Sequence, residues 1–312
     1  AFDATLPYKV YRTPVKTGAS LGLMWQMNCP AFLKKHAFTH IFHAQWQTAI
    51  PSIKAKQLGL IEEYYVALHG RELLFNPFKK WPILKNWYAG RMKASLTHAS
   101  KIFSNSHFSA SLVERAGITT KQPIDVTGLA VNWDHYQQCS KAEARKWLEN
   151  RAGTLNGTVL LSLCRLIQRK GVGTCLRALR IFLDEHPHFA CTYCVAGDGP
   201  DKERLIALTK ELNLESVVRF IGNVRTKNLP YAYKGSDLFL MPSRNKGSDV
   251  EGFGLVFLEA AASGLPAIGS TDGGIPDAVV DGETGLLVPP QQAETLSEAM
   301  EKILLDEATL KE

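Results

Sequence analysis

The sequence predicts an α/β protein made of two doubly wound domains, each with a parallel sheet between layers of helices. The chain has 312 residues, about twice the length of a typical single domain. Short β-rich runs alternate with helical segments throughout residues 151–312, and less regularly before them. Apolar residues make up 45% of the chain and charged residues 21%, a composition that argues against disorder, a coiled coil or a collagen-like fibre.

The second half is predicted to be a Rossmann-like domain. Its β-rich runs are each followed by a helical or turn segment, and this alternation implies right-handed crossovers in a parallel sheet. The predicted strands are Thr158–Cys164, Ala190–Ala196, Val217–Ile221, Asp237–Met241, Ala267–Ser270 and Gly285–Val288. The predicted helices are Val172–Glu185, Asp201–Asn213, Thr226–Lys234, Leu255–Ser263 and a last one from about Ala293.

The first half repeats the alternation less cleanly. Its predicted strands are His40–Ala44, Tyr65–Leu68, Lys101–Ser104 and Ile124–Thr127, and its predicted helices are Lys93–Ser100 and Phe108–Ala116. The polar stretch from 132 to 157, which includes the charged helix Lys141–Arg151, is the expected joint. We therefore place the domains at residues 1–150 and 151–312.

Charge is divided unevenly between these halves. Residues 1–150 carry 19 Lys and Arg against 9 Asp and Glu, whereas residues 151–312 carry 17 against 21. Such asymmetry predicts that the first half meets an anionic partner, such as a membrane surface, a phosphorylated substrate or nucleic acid. No known nucleic-acid-binding module is recognisable, which argues against the last of these.

The cysteines and the hydropathy pattern favour a cytoplasmic protein. No stretch has the apolar density of a membrane span, and no signal peptide is visible. Six cysteines are too sparse for a disulfide framework. Cys191 and Cys194 have C-x-x-C spacing, but they lie in a predicted buried strand and no second pair completes a zinc site.

The most specific pattern is Glu251-Gly-Phe-Gly-Leu-Val-Phe-Leu-Glu259, at a predicted strand-to-helix turn. Gly252 and Gly254 let the backbone approach a ligand, and the first amides of the helix can bind an anion such as a diphosphate. Glu259 can reach ribose hydroxyls, while Glu251 sits where a sugar would lie. The alternative is an ordinary turn with two solvated carboxylates.

Two cations follow the first strand of the same domain, Arg165 and Lys170. Because loops at the carboxyl ends of parallel strands converge, both can face the anion held by the Gly-Phe-Gly turn and replace a metal at a departing diphosphate. Taken singly, either could be a surface cation at a helix start. Gly197 and Gly199 form a third loop, but G-x-G is a weak signal, and neither the dinucleotide fingerprint nor a P-loop is present.

With the segments 220–224, 241–243 and 273–288, these patterns resemble the GT4 family of retaining glycosyltransferases, most densely from about Val159 to Ala299. The resemblance implies the GT-B fold, two Rossmann-like domains facing a cleft, and transfer of a sugar from a nucleotide donor. It implies that Glu251 contacts the donor sugar and that Arg165 and Lys170 hold the diphosphate. The implied substrate-binding residues are Gly252, Phe253, Gly254, Glu259, Gly197, Gly199, Ile221, Val224 and Ser243.

In the first half, Val66-Ala-Leu-His69-Gly-Arg-Glu72 is similar to the family's His-Gly element. The resemblance implies that His69 faces the donor sugar from the opposite side of the cleft, although a lone histidine is more often structural. We expect His40, His43 and His107 to serve packing or the cleft wall.

Residues 75–93 mix five cations with five aromatic rings. This composition suits the interface of an anionic membrane. It also suits a loop and helix whose rings face the core and whose cations face water, and we favour this second interpretation.

The chain also departs from the family pattern. The first strand, with its Gly-rich loop, is not recognisable before Phe2, and the closing helix is not found after Glu312, so we expect a first domain that is truncated at its start. In addition, the segment Gly128–Trp133 lacks the Asn-Gly-Val-Asp motif that is usual in the family.

The leading hypothesis is a retaining hexosyltransferase that uses a nucleotide diphosphate sugar and an envelope lipid or polysaccharide acceptor. No Asp-x-Asp motif is present, so neither a metal nor another cofactor is expected. The protein would lie in the cytoplasm or peripherally at the inner face of the membrane. The alternatives are a sugar epimerase, a glycoside phosphorylase or a non-catalytic nucleotide-sugar-binding remnant.

Overall fold

A computed structural model describes residues 29–78 and 80–305. The described chain forms two compact units, the first from residues 29–68, 76–104 and 113–125 and the second from residues 69–75, 105–112 and 126–305. The expected missing strand before Phe2 and the expected missing helix after Glu312 lie outside the described residues.

The second unit contains a six-stranded parallel sheet in the order β10-β9-β8-β5-β6-β7. The strands are β5 (Thr158–Leu163), β6 (Cys191–Ala196), β7 (Val218–Gly222), β8 (Leu238–Leu240), β9 (Ala267–Ser270) and β10 (Gly285–Val288). This is the order of the Rossmann fold, in which the chain runs outward from β5 and then returns to start again at β8. Ligands of such sheets bind where the order reverses, so the loops after β5 and β8 are the expected site.

The helices of this region follow the predicted ones closely. They are α6 (Trp133–Tyr136), α7 (Lys141–Ala152), α8 (Val172–Glu185), α9 (Lys202–Glu211), α10 (Leu229–Lys234), α11 (Leu255–Ala262) and α12 (Ala293–Leu304). In α8, buried residues recur at helical spacing, at Val172, Cys175, Leu176, Leu179 and Phe182, and this face packs against α12.

Residues 126–152 pack with the second unit. Ser140 caps α7 with Glu143 in a capping box, so the helix starts as a defined element rather than a loose joint. The ring of Trp147 on α7 lies 6.1 Å from that of Tyr231 on α10. Helix α7 therefore belongs to the second unit, whereas the predicted boundary at residue 150 put most of it in the first domain.

The first part of the chain carries a second sheet in the order β1-β2-β3-β4, in which β2 pairs in parallel with both β1 and β3. The strands are β1 (His40–His43), β2 (Glu63–Leu68), β3 (Lys101–Ser104) and β4 (Asp125–Val126). The helices are α1 (29–36), α2 (Trp46–Gln57), α3 (Arg71–Leu74), α4 (Pro82–Thr97) and α5 (His107–Arg115). Among the described helices, none combines the length and apolarity needed to cross a membrane.

The aromatic rings at the start of α4 are not core-facing, so the favoured interpretation of this segment is wrong for them. Trp81 and Trp87 are 65% and 52% exposed, and Ile83 is 85% exposed. The buried residues of α4 are Met92, Ser95 and Leu96, all in its last two turns, so the core-facing part of this helix is its end. Tyr88 follows the expectation, since its ring packs edge-on against Trp46.

All six cysteines are buried and free. Cys191 and Cys194 both lie on β6, whose residues are buried throughout. The sequence interpretation of this C-x-x-C as part of a buried strand is confirmed.

Candidate functional site

Glycines bring the loops that follow β5 and β6 into contact at the carboxyl edge of the sheet. A Cβ on Gly197 would lie 1.9 Å from the carbonyl oxygen of Cys164, and one on Gly199 would lie 2.3 Å from that of Leu166. The Leu166 amide donates to the carbonyl of Asp198 at 2.9 Å. Only glycine fits at these two positions, so the G-x-G loop fixes the path of the loop that carries Arg165 and Lys170.

A compact charge cluster joins the loops after β5 and β8. Lys170 Nζ lies 2.5 Å from Glu251 Oε2, and Arg169 Nη1 lies 3.0 Å from the same oxygen. Arg169 Nε also lies 3.1 Å from Asp249 Oδ1. The side chains of Lys170, Arg169 and Glu251 are only 11–17% exposed, so water screens these pairs weakly.

The cluster keeps Glu251 ionised. Burial acts to raise the pKa of its carboxyl, but Lys170 and then Arg169 outweigh burial and hold that pKa below its ordinary value. Asn245 fixes the backbone beside it, because its side-chain oxygen accepts from the Glu251 amide at 3.3 Å while its amide donates to Asp272 at 2.7 Å. The carboxylate therefore has a defined position as well as a defined charge.

A cavity of about 410 Å³ opens beside this cluster. Four of the predicted ligand-contacting residues line it, namely Arg165, Lys170, Gly197 and Val224. Arg165 is exposed, and none of the described carboxylates lies within ion-pair distance of its guanidinium. We call this space the donor cavity. Its lining includes two cations, the carboxylate of Asp198 and an apolar wall with Val256, and the cations can hold a phosphate attached to an organic group.

The Gly-Phe-Gly turn forms as expected, with Gly254 in the left-handed region at φ +91° and α11 beginning at the next residue. A Cβ on Gly252 would lie 2.1 Å from the carbonyl oxygen of His69. The Ser106 hydroxyl donates to the Gly252 carbonyl at 2.6 Å. Phe253 is buried, so its predicted contribution to a ligand would come from its backbone amide.

Glu259 is half-buried on α11 and is held by tyrosines that the sequence analysis did not single out. Tyr233 donates its hydroxyl to Glu259 Oε2 at 2.7 Å. Burial and then the Glu259 charge raise the pKa of Tyr233 and of Tyr136, so both keep their protons. The donor-cavity lining, among described residues, does not include Glu259.

His69 contributes backbone contacts, and its side chain is exposed. Its amide donates to Glu72 Oε1 at 2.6 Å. His107 hydrogen-bonds Asp277 Oδ1 through its amide, at 2.9 Å, and through its ring, at 2.5 Å. His43 is buried between Thr48 and Ser52, in agreement with the packing role expected for it.

Two predicted substrate-binding residues lie in packed surroundings. Ile221 is buried in the core, and its carbonyl accepts from Arg151 Nη2 at 2.8 Å. Ser243 is fully buried in the loop after β8, and its amide donates to the Met241 carbonyl at 2.8 Å. Their predicted contacts with substrate stay predictions, as do those of the other site residues.

Among the described residues, one group of three acidic and histidine side chains could hold a metal ion, Glu185, His186 and Glu301. It lies at the carboxyl end of α8, whereas the charge cluster lies near its amino end. The absence of a metal from the reaction stays a prediction.

The sequence analysis missed Arg169, Asn245 and Tyr233. Arg169 directly precedes Lys170 in a loop already singled out, so a third cation there was a usable signal. Asn245 and Tyr233 act through contacts with carboxylates distant in sequence, which no local pattern indicates.

Comparisons with known proteins bear on the family and the fold of the chain. The family model described as "Glycosyl transferases group 1" matches residues 145–312. Over 166 residues the chain is 34% identical to the GDP-mannose-dependent alpha-(1-6)-phosphatidylinositol monomannoside mannosyltransferase of Mycolicibacterium smegmatis, covering 53% of this chain and 43% of that protein. Over 148 residues it is 36% identical to the D-inositol 3-phosphate glycosyltransferase of Corynebacterium jeikeium, covering 46% of this chain and 34% of that protein. The chain thus spans less than half the length of both relatives.

Among solved structures, Anabaena Alr3699/HepE in complex with UDP superposes with a TM-score of 0.74 at 20% identity, covering 93% of this chain and 74% of that one. This likeness confirms the predicted α/β, GT-B fold class. Because the family model covers more than half of the chain, the chain belongs to the glycosyl transferases group 1 family.

Proposed function

We propose that the protein is a retaining glycosyltransferase that moves a hexose from a nucleotide diphosphate sugar to an envelope lipid or polysaccharide. The observation that carries the proposal is the convergence of Glu251, Lys170 and Arg165 at the point where the sheet order reverses. In a doubly wound sheet this point is where nucleotides bind.

The cations would act on the departing diphosphate. Lys170 has three N–H donors and gives one to Glu251, so others remain for phosphate oxygens. Arg165 can offer a bidentate pair of donors from the cavity wall. Lys170 is a fixed charge in a weakly screened position, so it would stabilise a leaving group without reorganising, which is the main catalytic term expected here.

Glu251 would bind the sugar and oppose the positive charge that develops at the anomeric carbon. Its carboxylate is ionised, weakly exposed and held by two cations. Retention would follow from attack on the same face from which the diphosphate departs, with no protein base dedicated to the acceptor. The protein then acts through positioning and electrostatics.

The two relatives point to a donor and an acceptor class to test first. One is named a GDP-mannose-dependent enzyme acting on a phosphatidylinositol monomannoside, and the other a D-inositol 3-phosphate glycosyltransferase. We therefore take GDP-mannose as the first donor and inositol-containing lipids as the first acceptors.

The start of α4 supports peripheral contact with an anionic membrane, at the inner face if the protein is cytoplasmic. Trp81, Ile83 and Trp87 are exposed there, with Lys80 and Lys85 exposed beside them. Aromatic rings enter the headgroup layer, while lysines are attracted to anionic lipids. Binding to vesicles with phosphatidylglycerol should exceed binding to phosphatidylcholine vesicles, and Trp87→Ser should reduce it.

The test is a transfer assay with GDP-mannose, UDP-glucose and ADP-glucose against inositol-containing lipids and polysaccharide, with and without EDTA. We expect product of retained anomeric configuration by NMR, EDTA-insensitive turnover, and loss of at least 100-fold in Glu251→Gln. Glu149→Gln is the matched control, because Glu149 is exposed on α7. Unchanged transfer by Glu251→Gln would contradict the proposal.

Other products would favour other members of the fold class. Phosphate-dependent release of a sugar phosphate would indicate a phosphorylase, and a changed nucleotide sugar without acceptor would indicate an epimerase. Nucleotide binding without turnover of any donor would indicate a binding protein.

A further inference from the structure

We propose that a second cavity of the second unit, separate from the donor cavity, binds the phosphate group of a small molecule. This cavity has a volume of about 350 Å³ and is lined by three arginines, Arg177, Arg204 and Arg244. We call it the arginine cavity. The inference goes beyond the proposed function, because nothing in glycosyl transfer from a nucleotide sugar requires it.

The arginine cavity lies on the other side of the turn that carries Lys170. Gln168 and Gly171, which flank Lys170 in the chain, line the arginine cavity, whereas Lys170 itself lines the donor cavity. The two linings share no residue. A ligand of one cavity therefore does not have to displace a ligand of the other.

The charges in the arginine cavity are incompletely compensated. Arg204 is held by Asp201 in a two-point pair, at 2.6 and 2.7 Å, which fixes its guanidinium. Arg244 donates to the side-chain oxygen of Gln291, which is neutral. Within residues 29–78 and 80–305, no carboxylate lies within ion-pair distance of Arg177 or Arg244, and no acidic residue lines the cavity.

Guanidinium groups of this kind match the chemistry of phosphate. Each offers planar, paired N–H donors that fit two phosphate oxygens, and each remains charged at all physiological pH values. Arg177 and Arg244, which have no carboxylate partner among the described residues, line the same cavity, and a bound dianion would supply their counter-charge. The first turn of α8 adds the partial positive charge of a helix N-terminus and the hydroxyl of Thr174.

The shape and lining limit the class of ligand. Pockets for small molecules span roughly 300–1,000 Å³, and this cavity is near the lower end. No aromatic ring lines it among the described residues, so it offers no stacking surface for a nucleobase. Gln168, Gln291 and Thr174 can instead hydrogen-bond hydroxyls. The geometry suits inorganic phosphate or a small phosphomonoester, such as a sugar phosphate, better than a nucleotide.

The test is calorimetric titration with inorganic phosphate and with glucose 6-phosphate, each with and without saturating GDP to fill the donor cavity. We expect at least one probe to bind with GDP present, and Arg177→Gln/Arg244→Gln to weaken it at least tenfold. The double variant Lys202→Gln/Lys210→Gln on α9 removes the same charge away from the cavity lining and should change binding less than twofold. All variants should bind GDP within twofold of wild type and melt within a few degrees of it.

Three outcomes would overturn the proposal: no binding of either probe to the wild type, equal weakening by both double variants, or loss of probe binding when GDP is added. Tighter binding of glucose 6-phosphate than of phosphate would support recognition of the attached group, and equal binding would support a site that recognises phosphate alone. If GDP itself fails to bind, the proposed function fails, while the titrations without GDP still decide this inference.

Discussion

Replacing Lys170 by methionine should weaken binding of a nucleoside diphosphate about 10- to 100-fold. The ammonium group is fixed by Glu251 at 2.5 Å and its side chain is 13% exposed, so a contact with a phosphate oxygen would form with little loss of freedom. A hydrogen bond to a charged group contributes about 1.5–3 kcal/mol, and each 1.4 kcal/mol is about tenfold in affinity. Methionine keeps an unbranched side chain of similar bulk and removes the terminal ammonium with its charge and donors.

The same substitution should change Glu251. With Lys170 gone, burial is opposed mainly by Arg169, so the pKa of the Glu251 carboxyl should rise. Removing one partner of a buried pair costs about 3–5 kcal/mol when it leaves a charge uncompensated. Because Arg169 remains 3.0 Å away, we expect a smaller loss, below about 3 kcal/mol, in the free energy of unfolding.

The assay is calorimetric titration with GDP and UDP, together with urea unfolding. Lys146→Met is the matched control, since Lys146 is exposed on α7. Wild-type affinity in Lys170→Met, or an equal loss in Lys146→Met, would refute the assignment of Lys170 to the diphosphate.

Four further substitutions test the framework. Gly252→Ala should cost about 1–3 kcal/mol of stability and most of the transfer activity, because its Cβ would lie 2.1 Å from a backbone oxygen. Gly90→Ala has open space around it and should instead stabilise the protein by about 0.5–1 kcal/mol in urea unfolding, because Gly90 lies inside α4. Burial lowers the pKa of His43 to about 4. As the pH falls from about 6.5 to about 4, only the unfolded state takes up this proton, so the free energy of unfolding of the wild type should fall by about 3 kcal/mol. In His43→Asn this component of the pH dependence should be absent. Tyr233→Phe should lower the free energy of unfolding by about 1–3 kcal/mol, because Glu259 loses a hydrogen bond at 2.7 Å, and an unchanged urea midpoint would contradict that role.

The second unit could be predicted well because its signals are local. Each strand from β5 to β10 is a short apolar run followed by a helical or turn segment, and the observed bounds differ from the predicted ones by a few residues at most. The predicted site rests on the same rule, since Arg165, Lys170 and Glu251 all follow strands whose carboxyl ends converge. The structure brings Lys170 and Glu251 together directly.

The first part of the chain was less predictable. Helix α2 was not predicted at all, because it carries Pro51 and buries small residues such as Ala49, Ser52 and Ala55, which give a weak apolar pattern. Helix α4 was expected only near its end, because its first turns expose Trp81 and Trp87 against the usual periodicity. In both helices the surroundings in the fold, and not the local pattern of apolar residues, decide where the helix forms.

The sequence did not indicate which residues of the candidate site bond to one another. Lys170 was assigned to an anionic ligand, yet its partner in the molecule is Glu251, 81 positions away. Ser106 bonds the Gly252 carbonyl across 146 positions. Such contacts depend on which loops the fold brings together, and no spacing rule within one segment reports them.

The most direct measurement of the central claim is a thermal-shift titration of the wild-type protein with GDP, UDP and ADP, because a ligand that binds only the folded state raises its melting temperature. We expect a concentration-dependent rise with at least one of the three, and its loss in Arg165→Ala/Lys170→Met. No rise with any of them, or an equal rise in the double variant, would contradict a nucleotide-sugar site at the junction of β5 and β8.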